Sequence, residues 1–210
     1  MDTLVVVAHP DDEAIGCGGS ISRFSDEGQD VAVVLPLRRC DRRGVENWER
    51  LTAAFRASCM HLGAIPIILD PLLDEVLAET HVHQLHDMLC PWIEQSDCVL
   101  THWWGDVNQV HRGVYRAVEI AARPFRRRKH VYLFETASST DQVFQPTFAP
   151  NAYSILNEAS CRRKCEAMGF YETEQAFGRR PEDLERKLRV RGVEVGVDYA
   201  EAFVVGRVFL

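Results

Sequence analysis

The chain opens with Thr3-Leu4-Val5-Val6-Val7-Ala8-His9-Pro10-Asp11-Asp12-Glu13, an apolar run that ends in a cluster of imidazole and carboxylate side chains. The β-branched run from Leu4 to Val7 is typical of a strand buried on both faces. The polar cluster therefore follows the carboxyl end of that strand, which is where open α/β sheets bind their ligands.

The residue types in this cluster suit a metal ion. The imidazole of His9 and the carboxylate of Asp12, three residues apart across a turn, can bind one divalent ion, which leaves Asp11 or Glu13 free as a base. The same carboxylates also suit an ordinary helix start, because aspartate side chains accept hydrogen bonds from the first N–H groups of a helix. The motif alone leaves both interpretations open.

Apolar runs alternate with longer amphipathic stretches over the first 135 residues, which predicts a Rossmann-like α/β fold. Such an alternation gives a mostly parallel sheet with helices on both faces. We expect strands at Leu4–Ala8, Val31–Leu37, Ile65–Leu69, Cys98–Thr101 and Val131–Phe134, and helices at about Asp12–Asp26, Val45–Leu62, Glu79–Gln95 and Gln109–Arg123.

The pattern changes after Glu135, although nothing marks a second domain. Residues 136–151 are polar and without periodicity, which predicts a long ordered loop or lid. Helices near Ala159–Met168 and Pro181–Val190 and a strand in Tyr199–Phe209 follow. We therefore predict a single domain over residues 1–210, with a Rossmann-like βα core in 1–135 and a lid loop, helices and closing strand in 136–210.

The first helix contains Gly16, Gly18 and Gly19, which weaken a helix unless close packing against the sheet requires them. Their order does not match the G-x-G-x-x-G pattern of dinucleotide-binding proteins, and acidic residues occupy the phosphate position. A phosphate would be repelled there.

Composition restricts the class of protein. The formal net charge of −7 argues against nonspecific binding to nucleic acid, and no apolar stretch approaches the roughly 20 residues of a membrane span. Seven cysteines without a regular framework fit free thiols in a reducing compartment. We expect a cytoplasmic protein.

All parallel strands end at one edge of the sheet, so residues that follow different strands come together there. A third ligand from this edge would complete a site of two imidazoles and one carboxylate with an open position for water, which is the layout of a hydrolytic zinc site. The polar residues that follow the later strands are Arg38, Arg39, Asp70, His102, Asp106, His111 and Glu135.

Two motifs make the chain similar to a known family. His9-Pro10-Asp11-Asp12-Glu13 after the first strand, with Asp106-Val107-Asn108-Gln109-Val110-His111 about a hundred residues later, resembles the PIG-L and LmbE family of zinc-dependent N-deacetylases. The resemblance implies removal of an acyl group, usually acetyl, from an amino sugar or a related conjugate. By the same resemblance His9, Asp12 and His111 are the ligands of one zinc ion per chain, and Asp11 is the general base.

The chain departs from the family's pattern around the last ligand. Asn108 stands where several relatives have a histidine, and it can donate a hydrogen bond but cannot carry a proton at neutral pH. Val110 replaces a common aspartate, so another group must orient His111, and Asp106 is a candidate. The chain also lacks the family's Gly-Glu turn after the second strand.

Four arginines between positions 38 and 43 replace that turn, and they are either a clamp for an anionic substrate group or a solvated loop. We place Arg38, Arg39, Asp106 and Asn108 in substrate binding. The expected partner is a small N-acyl amino sugar, anionic if the clamp forms, and the resemblance also implies a homo-oligomer. Alternatives are release of formyl or carbamoyl, or a non-catalytic sugar-binding protein.

Overall fold

The computed structural model describes the backbone of residues 1–210 and the side chains of all of them except Arg43. It consists of seven strands and six α-helices in one α/β domain. The elements are β1 (Thr3–Val6), α1 (Asp12–Asp26), β2 (Val31–Arg38), α2 (Arg42–His61), β3 (Ile65–Asp74), α3 (Val82–Glu94), β4 (Cys98–His102), α4 (Gln109–Ala121), β5 (His130–Phe134), β6 (Ala152–Leu156), α5 (Glu158–Gly169), α6 (Pro181–Val195) and β7 (Tyr199–Arg207). Short 3-10 turns cover Glu75–Leu77 and Thr140–Gln142.

The sheet order is β3-β2-β1-β4-β5-β7-β6. Strands β1 to β5 are parallel, whereas β7 runs antiparallel to both of its neighbours, β5 and β6. This confirms the predicted Rossmann-like sheet. The strand β6 lies just after the stretch predicted as a lid loop, and the sequence analysis missed it.

Alternate side chains of β1 supply two separate cores. Leu4 and Val6 pack with α3 and α4 on one face, while Val5 and Val7 pack with α1, α2 and α5 on the other. All four side chains, including that of Val7 directly after β1, are fully buried. The helices therefore cover both faces, as the continuous apolar run of β1 requires.

Local signals explain where the helices that border the site begin. The side chain of Asp41 accepts a hydrogen bond from the N–H of Gly44 at 2.6 Å, so α2 starts three residues before the predicted Val45. The side chain of Asn108 caps α4 in the same way through the N–H of Val110 at 2.8 Å. Among the described residues, no helix is long and apolar enough to cross a membrane.

Candidate metal centre

The strand order reverses at β1 and β4, because the chain builds outward from β1 through β2 to β3 on one side and from β4 to β5 on the other. A crevice forms outside the carboxyl ends of the two strands at such a switch point. His9 follows β1 and His111 lies in the first turn of α4, which follows β4. The topology therefore brings the two sequence motifs to the same crevice.

Three ligand atoms converge there. The distance from His9 Nδ1 to His111 Nε2 is 3.2 Å, and the carboxylate oxygens of Asp12 lie 3.4 Å from His9 Nδ1 and 3.5 Å from His111 Nε2. Ligand atoms bound at about 2.0–2.2 Å in a tetrahedral zinc site are roughly 3.3–3.6 Å apart. The donor set and its spacing therefore fit a zinc ion with three protein ligands.

The protonation state of Asp12 also suits a ligand. Burial raises its pKa, but the adjacent His111 and His102 rings outweigh burial and hold the pKa of Asp12 well below its usual range. The carboxylate also accepts the backbone N–H of His9 at 2.7 Å. Asp12 is thus ionised and held in place within the turn.

Asp106 lies behind His111. One of its carboxylate oxygens is 3.3 Å from His111 Nδ1, and its carboxylate accepts hydrogen bonds from Ser139 and Thr140. Burial raises the pKa of Asp106, but the adjacent His111 and, to a smaller extent, the hydrogen bonds from Ser139 and Thr140 lower it to about 2, so the side chain is ionised. Asp106 does not line the cleft, so it lies where the sequence analysis suggested a group that orients His111 rather than where the sequence analysis placed a substrate-binding residue.

His102 fills the space between the two motifs, and the sequence analysis gave it no role. Its ring stacks on His111 with the centroids 4.0 Å apart, and its Nε2 accepts the backbone N–H of Ala8 at 3.0 Å. Burial and the adjacent His111 lower the pKa of His102 to about 4, so the ring is neutral at neutral pH. His102 therefore connects the backbone before His9 to the ring of His111.

Asp11 adopts a left-handed backbone conformation with φ of 112°. A residue with a Cβ rarely adopts this conformation without support from its surroundings. Here the backbone N–H of Asp11 donates to Glu13 at 3.3 Å, and Glu13 in turn accepts hydrogen bonds from Ser58 and Tyr171. The strained turn is thus fixed from inside the core.

The Asp11 carboxylate faces the cleft beside Arg179, whose Nη1 lies 3.3 Å away. Burial and the charge of Asp12 raise the pKa of Asp11 well above its usual range, although Arg179 acts in the opposite direction. A carboxylate with a raised pKa takes up a proton more readily, which is what a general base must do. Arg179 lies between α5 and α6, and no sequence motif pointed to it.

The cleft above these residues has a volume of about 590 Å³. His9, Asp11, Asp12 and His111 form its floor, and residues 136–139 of the predicted lid loop line one wall. Asn108 also lines the cleft, and the N-cap bond fixes its side-chain oxygen. The amide N–H₂ group of Asn108 is therefore the part that remains available to a bound molecule.

The predicted arginine clamp is only partly at the cleft. Arg39 lines it, but its guanidinium already pairs with Glu174 at 3.0 Å and with Asp41 at 3.2 Å. Arg38 is exposed and does not line the cleft, and Arg42 is exposed and pairs with Glu46. The side chain of Arg43 lies outside the described part of the structure. Of the three described arginines, Arg39 alone lines the cleft, and its guanidinium is already paired with carboxylates.

Comparison with known proteins identifies the family. Residues 4–122 match the family model described as PIG-L, GlcNAc-PI de-N-acetylase, so the chain belongs to this family. The matched segment contains Asp11 and the three converging residues His9, Asp12 and His111, whereas Arg179 lies outside it. A search among curated proteins finds no match.

Solved structures of similar fold include three from different organisms. The conserved protein TT1542 of Thermus thermophilus has a TM-score of 0.77 at 22% identity, and the match covers 100% of this chain and 96% of that one. The 4-carboxy-2-hydroxymuconate hydratase GalB of Pseudomonas putida has a TM-score of 0.73 at 18% identity, with coverages of 100% and 98%. The N,N'-diacetylchitobiose deacetylase of Pyrococcus horikoshii has a TM-score of 0.71 at 19% identity, with coverages of 97% and 83%. Since a hydratase and a deacetylase share this fold, the reaction must be argued from the site.

Proposed function

We propose that this protein is a zinc-dependent hydrolase that removes an N-acyl group, most simply acetyl, from an amino sugar or an amino-sugar conjugate. The observation that carries the proposal is the convergence of His9 Nδ1, His111 Nε2 and the Asp12 carboxylate, with the carboxylate of Asp11 in the same cleft. Three protein ligands with an open fourth position are the arrangement of a catalytic zinc site.

His9, Asp12 and His111 would hold one zinc ion per chain. When bound, zinc lowers the pKa of a water molecule to about 7 and polarises an amide carbonyl. The residues of the chain supply the proton transfers. Asp11 takes a proton from the attacking water, and the same carboxyl group then returns it to the leaving amine, because Asn108 cannot carry a proton.

Two further side chains would act on the substrate and the base. The amide N–H₂ of Asn108 would donate a hydrogen bond to the substrate, where a positioned donor stabilises developing negative charge. Arg179 would hold the Asp11 carboxylate in one orientation, since its guanidinium lies 3.3 Å from that group. Asp106 would support His111 from behind rather than contact the substrate.

The substrate class rests on the family and on its structural relatives. The family model is named for a de-N-acetylase of a GlcNAc conjugate, and the neighbour from Pyrococcus is a deacetylase of N,N'-diacetylchitobiose. A cleft of about 590 Å³ is large enough for a sugar unit and its acyl group. The expected partner is therefore a small N-acetylated amino sugar.

The test is zinc content together with amine release from a panel of N-acetyl, N-formyl and N-carbamoyl amino sugars. We expect one zinc ion per chain and release of acetate with a free amine. Asp11→Asn should retain zinc and lose about 10²- to 10⁴-fold in turnover, whereas His111→Ala should lose the metal. Full activity of Asp11→Asn would overturn the assigned base, and bound zinc without cleavage of any acyl amine would favour the sugar-binding alternative.

A further inference from the structure

Glu75 contacts a proposed zinc ligand although it belongs to neither sequence motif. It begins the 3-10 turn that follows β3 and is 9% exposed. One carboxylate oxygen, Oε2, lies 2.9 Å from Nε2 of His9. The other, Oε1, accepts the backbone N–H of Cys40 at 2.7 Å and that of Asp41 at 3.3 Å.

The contact with His9 determines which ring nitrogen can bind a metal. A neutral imidazole carries one proton, and a carboxylate at Nε2 favours the tautomer in which that nitrogen is the donor. Nδ1 of His9 is then left with a free lone pair, and Nδ1 is the atom that lies 3.2 Å from His111 Nε2 and 3.4 Å from Asp12.

We propose that Glu75 is a positioning residue that holds His9 in the tautomer and ring orientation needed to bind zinc through Nδ1. The inference rests on the zinc site of the proposed function. Asp106 lies in the corresponding place on the other imidazole, 3.3 Å from Nδ1 of His111, so that His111 presents Nε2 to the same point. Each imidazole thus has a carboxylate on the side away from the metal position.

The same Glu75 carboxylate connects the zinc position to the wall of the cleft. Its bonds to residues 40 and 41 fix the backbone at the start of α2, where Arg39, Cys40 and Asp41 line the cleft. The Glu75 carboxylate reaches this point from the 3-10 turn that follows β3. Glu75 therefore orients a ligand and a cleft wall together.

The substitution Glu75→Gln separates these two roles. The amide oxygen of glutamine can still accept the N–H groups of Cys40 and Asp41, so the cleft wall is retained. The amide N–H₂ would instead donate to Nε2 of His9, which moves the ring proton to Nδ1 and opposes zinc binding there. We expect zinc affinity, measured by competition with a chromogenic chelator, to fall about 10- to 100-fold.

The matched control is Glu79→Gln, which makes the same change of charge in the same part of the chain. Glu79 pairs with Arg112 at 3.0 Å, and its side chain is 41% exposed. We expect this variant to bind zinc as the unsubstituted protein does. The visible absorption of the Co²⁺-loaded proteins gives a second measurement that does not depend on activity, and its bands should change in Glu75→Gln alone.

The outcomes separate this assignment from the proposed function. If Glu75→Gln binds zinc as tightly as Glu79→Gln and gives the same cobalt spectrum, Glu75 is not a positioning residue and the proposed hydrolase is unaffected. If metal-free Glu75→Gln is unfolded while metal-free Glu79→Gln is folded, Glu75 maintains the fold and the assignment is wrong. If Glu75 controls zinc affinity but no amide is cleaved, the assignment stands and the proposed function fails.

Discussion

Gly16 offers a direct test of how closely α1 must approach the sheet. A Cβ added at this position would lie 2.4 Å, 2.7 Å and 3.0 Å from three ring carbons of Phe134. Carbon atoms in favourable contact are about 3.5–4.0 Å apart, so the ring or the helix would have to move by roughly 1 Å. Phe134 is fully buried, and its ring packs edge-on against His102 with the centroids 4.7 Å apart. The displacement would therefore reach the ring that stacks on His111.

Two opposing effects set the magnitude for Gly16→Ala. Alanine improves helix propensity by at most about 1 kcal/mol relative to glycine. Overpacking of a rigid core costs about 1–3 kcal/mol, and contacts this short belong at the upper end of that range. The net destabilisation should be about 2 kcal/mol, which corresponds to a decrease of roughly 4–8 °C in Tm for a chain of this size.

Chemical denaturation and zinc affinity measure the two consequences. Gly16→Ala should unfold at a lower denaturant concentration and bind zinc less tightly than the unsubstituted protein. Gly169→Ala is the matched control, because a Cβ at that position meets no atom within 4 Å, and it should be at least as stable as the unsubstituted protein. If Gly16→Ala unfolds at the same denaturant concentration as Gly169→Ala, the argument from close packing is refuted.

Three further predictions concern charge and metal. Glu135 accepts two hydrogen bonds from Arg191 at 2.7 Å and 2.8 Å, and although burial raises its pKa, Arg191 and Lys187 lower it below its usual range. The contribution of Glu135 to the free energy of unfolding is therefore fully present above the ordinary glutamate pKa, and it is lost as the pH falls through the lowered pKa of the folded state. Glu135→Gln should cost about 2–3 kcal/mol at pH 7 and progressively less below about pH 4, as measured by urea unfolding. Lys164→Met should cost about 3 kcal/mol in the same assay, because Lys164 Nζ lies 2.6 Å from Glu201 and both side chains are 3% exposed. Stability equal to that of the unsubstituted protein would show that the ion pair contributes nothing. Removal of zinc by a chelator should lower Tm by about 5–10 °C relative to protein in zinc at 100 times its Kd, and an unchanged Tm would contradict specific binding to the folded state.

The parallel part of the sheet could be predicted because its signals are local. Apolar runs separated by amphipathic stretches are a regular pattern, and β1 to β5 and α1 to α4 follow it. The rule that parallel strands end at one edge predicts that residues 9, 12 and 111 lie near one another. The choice of His111 as the third ligand came from the resemblance to the family's motifs. These expectations needed no information about side-chain packing.

The supporting residues could not be predicted, because they depend on contacts between distant segments. The sequence analysis ended β3 at Leu69, but the strand continues to Asp74 through a shift of register opposite Pro36, and this extension carries Glu75 to the edge of the sheet. The extended part of β3 contains Pro71, and a proline within a strand is usually taken as a sign that the strand ends. Arg179 belongs to a segment without any recognisable pattern, so only the folded chain shows that it reaches Asp11.

The strand β7 lies between β5 and β6 although it is the last of the seven in the chain, and β6 pairs with β7 alone among the described strands. During synthesis the five parallel strands can pair as each one emerges from the ribosome, but β6 has no partner until residue 207 has been made. The segment between β5 and β6, which includes one wall of the cleft, is held at its far end by that late pairing. We therefore expect a nascent chain to acquire its zinc-binding turn early and its complete substrate cleft only at the end of translation.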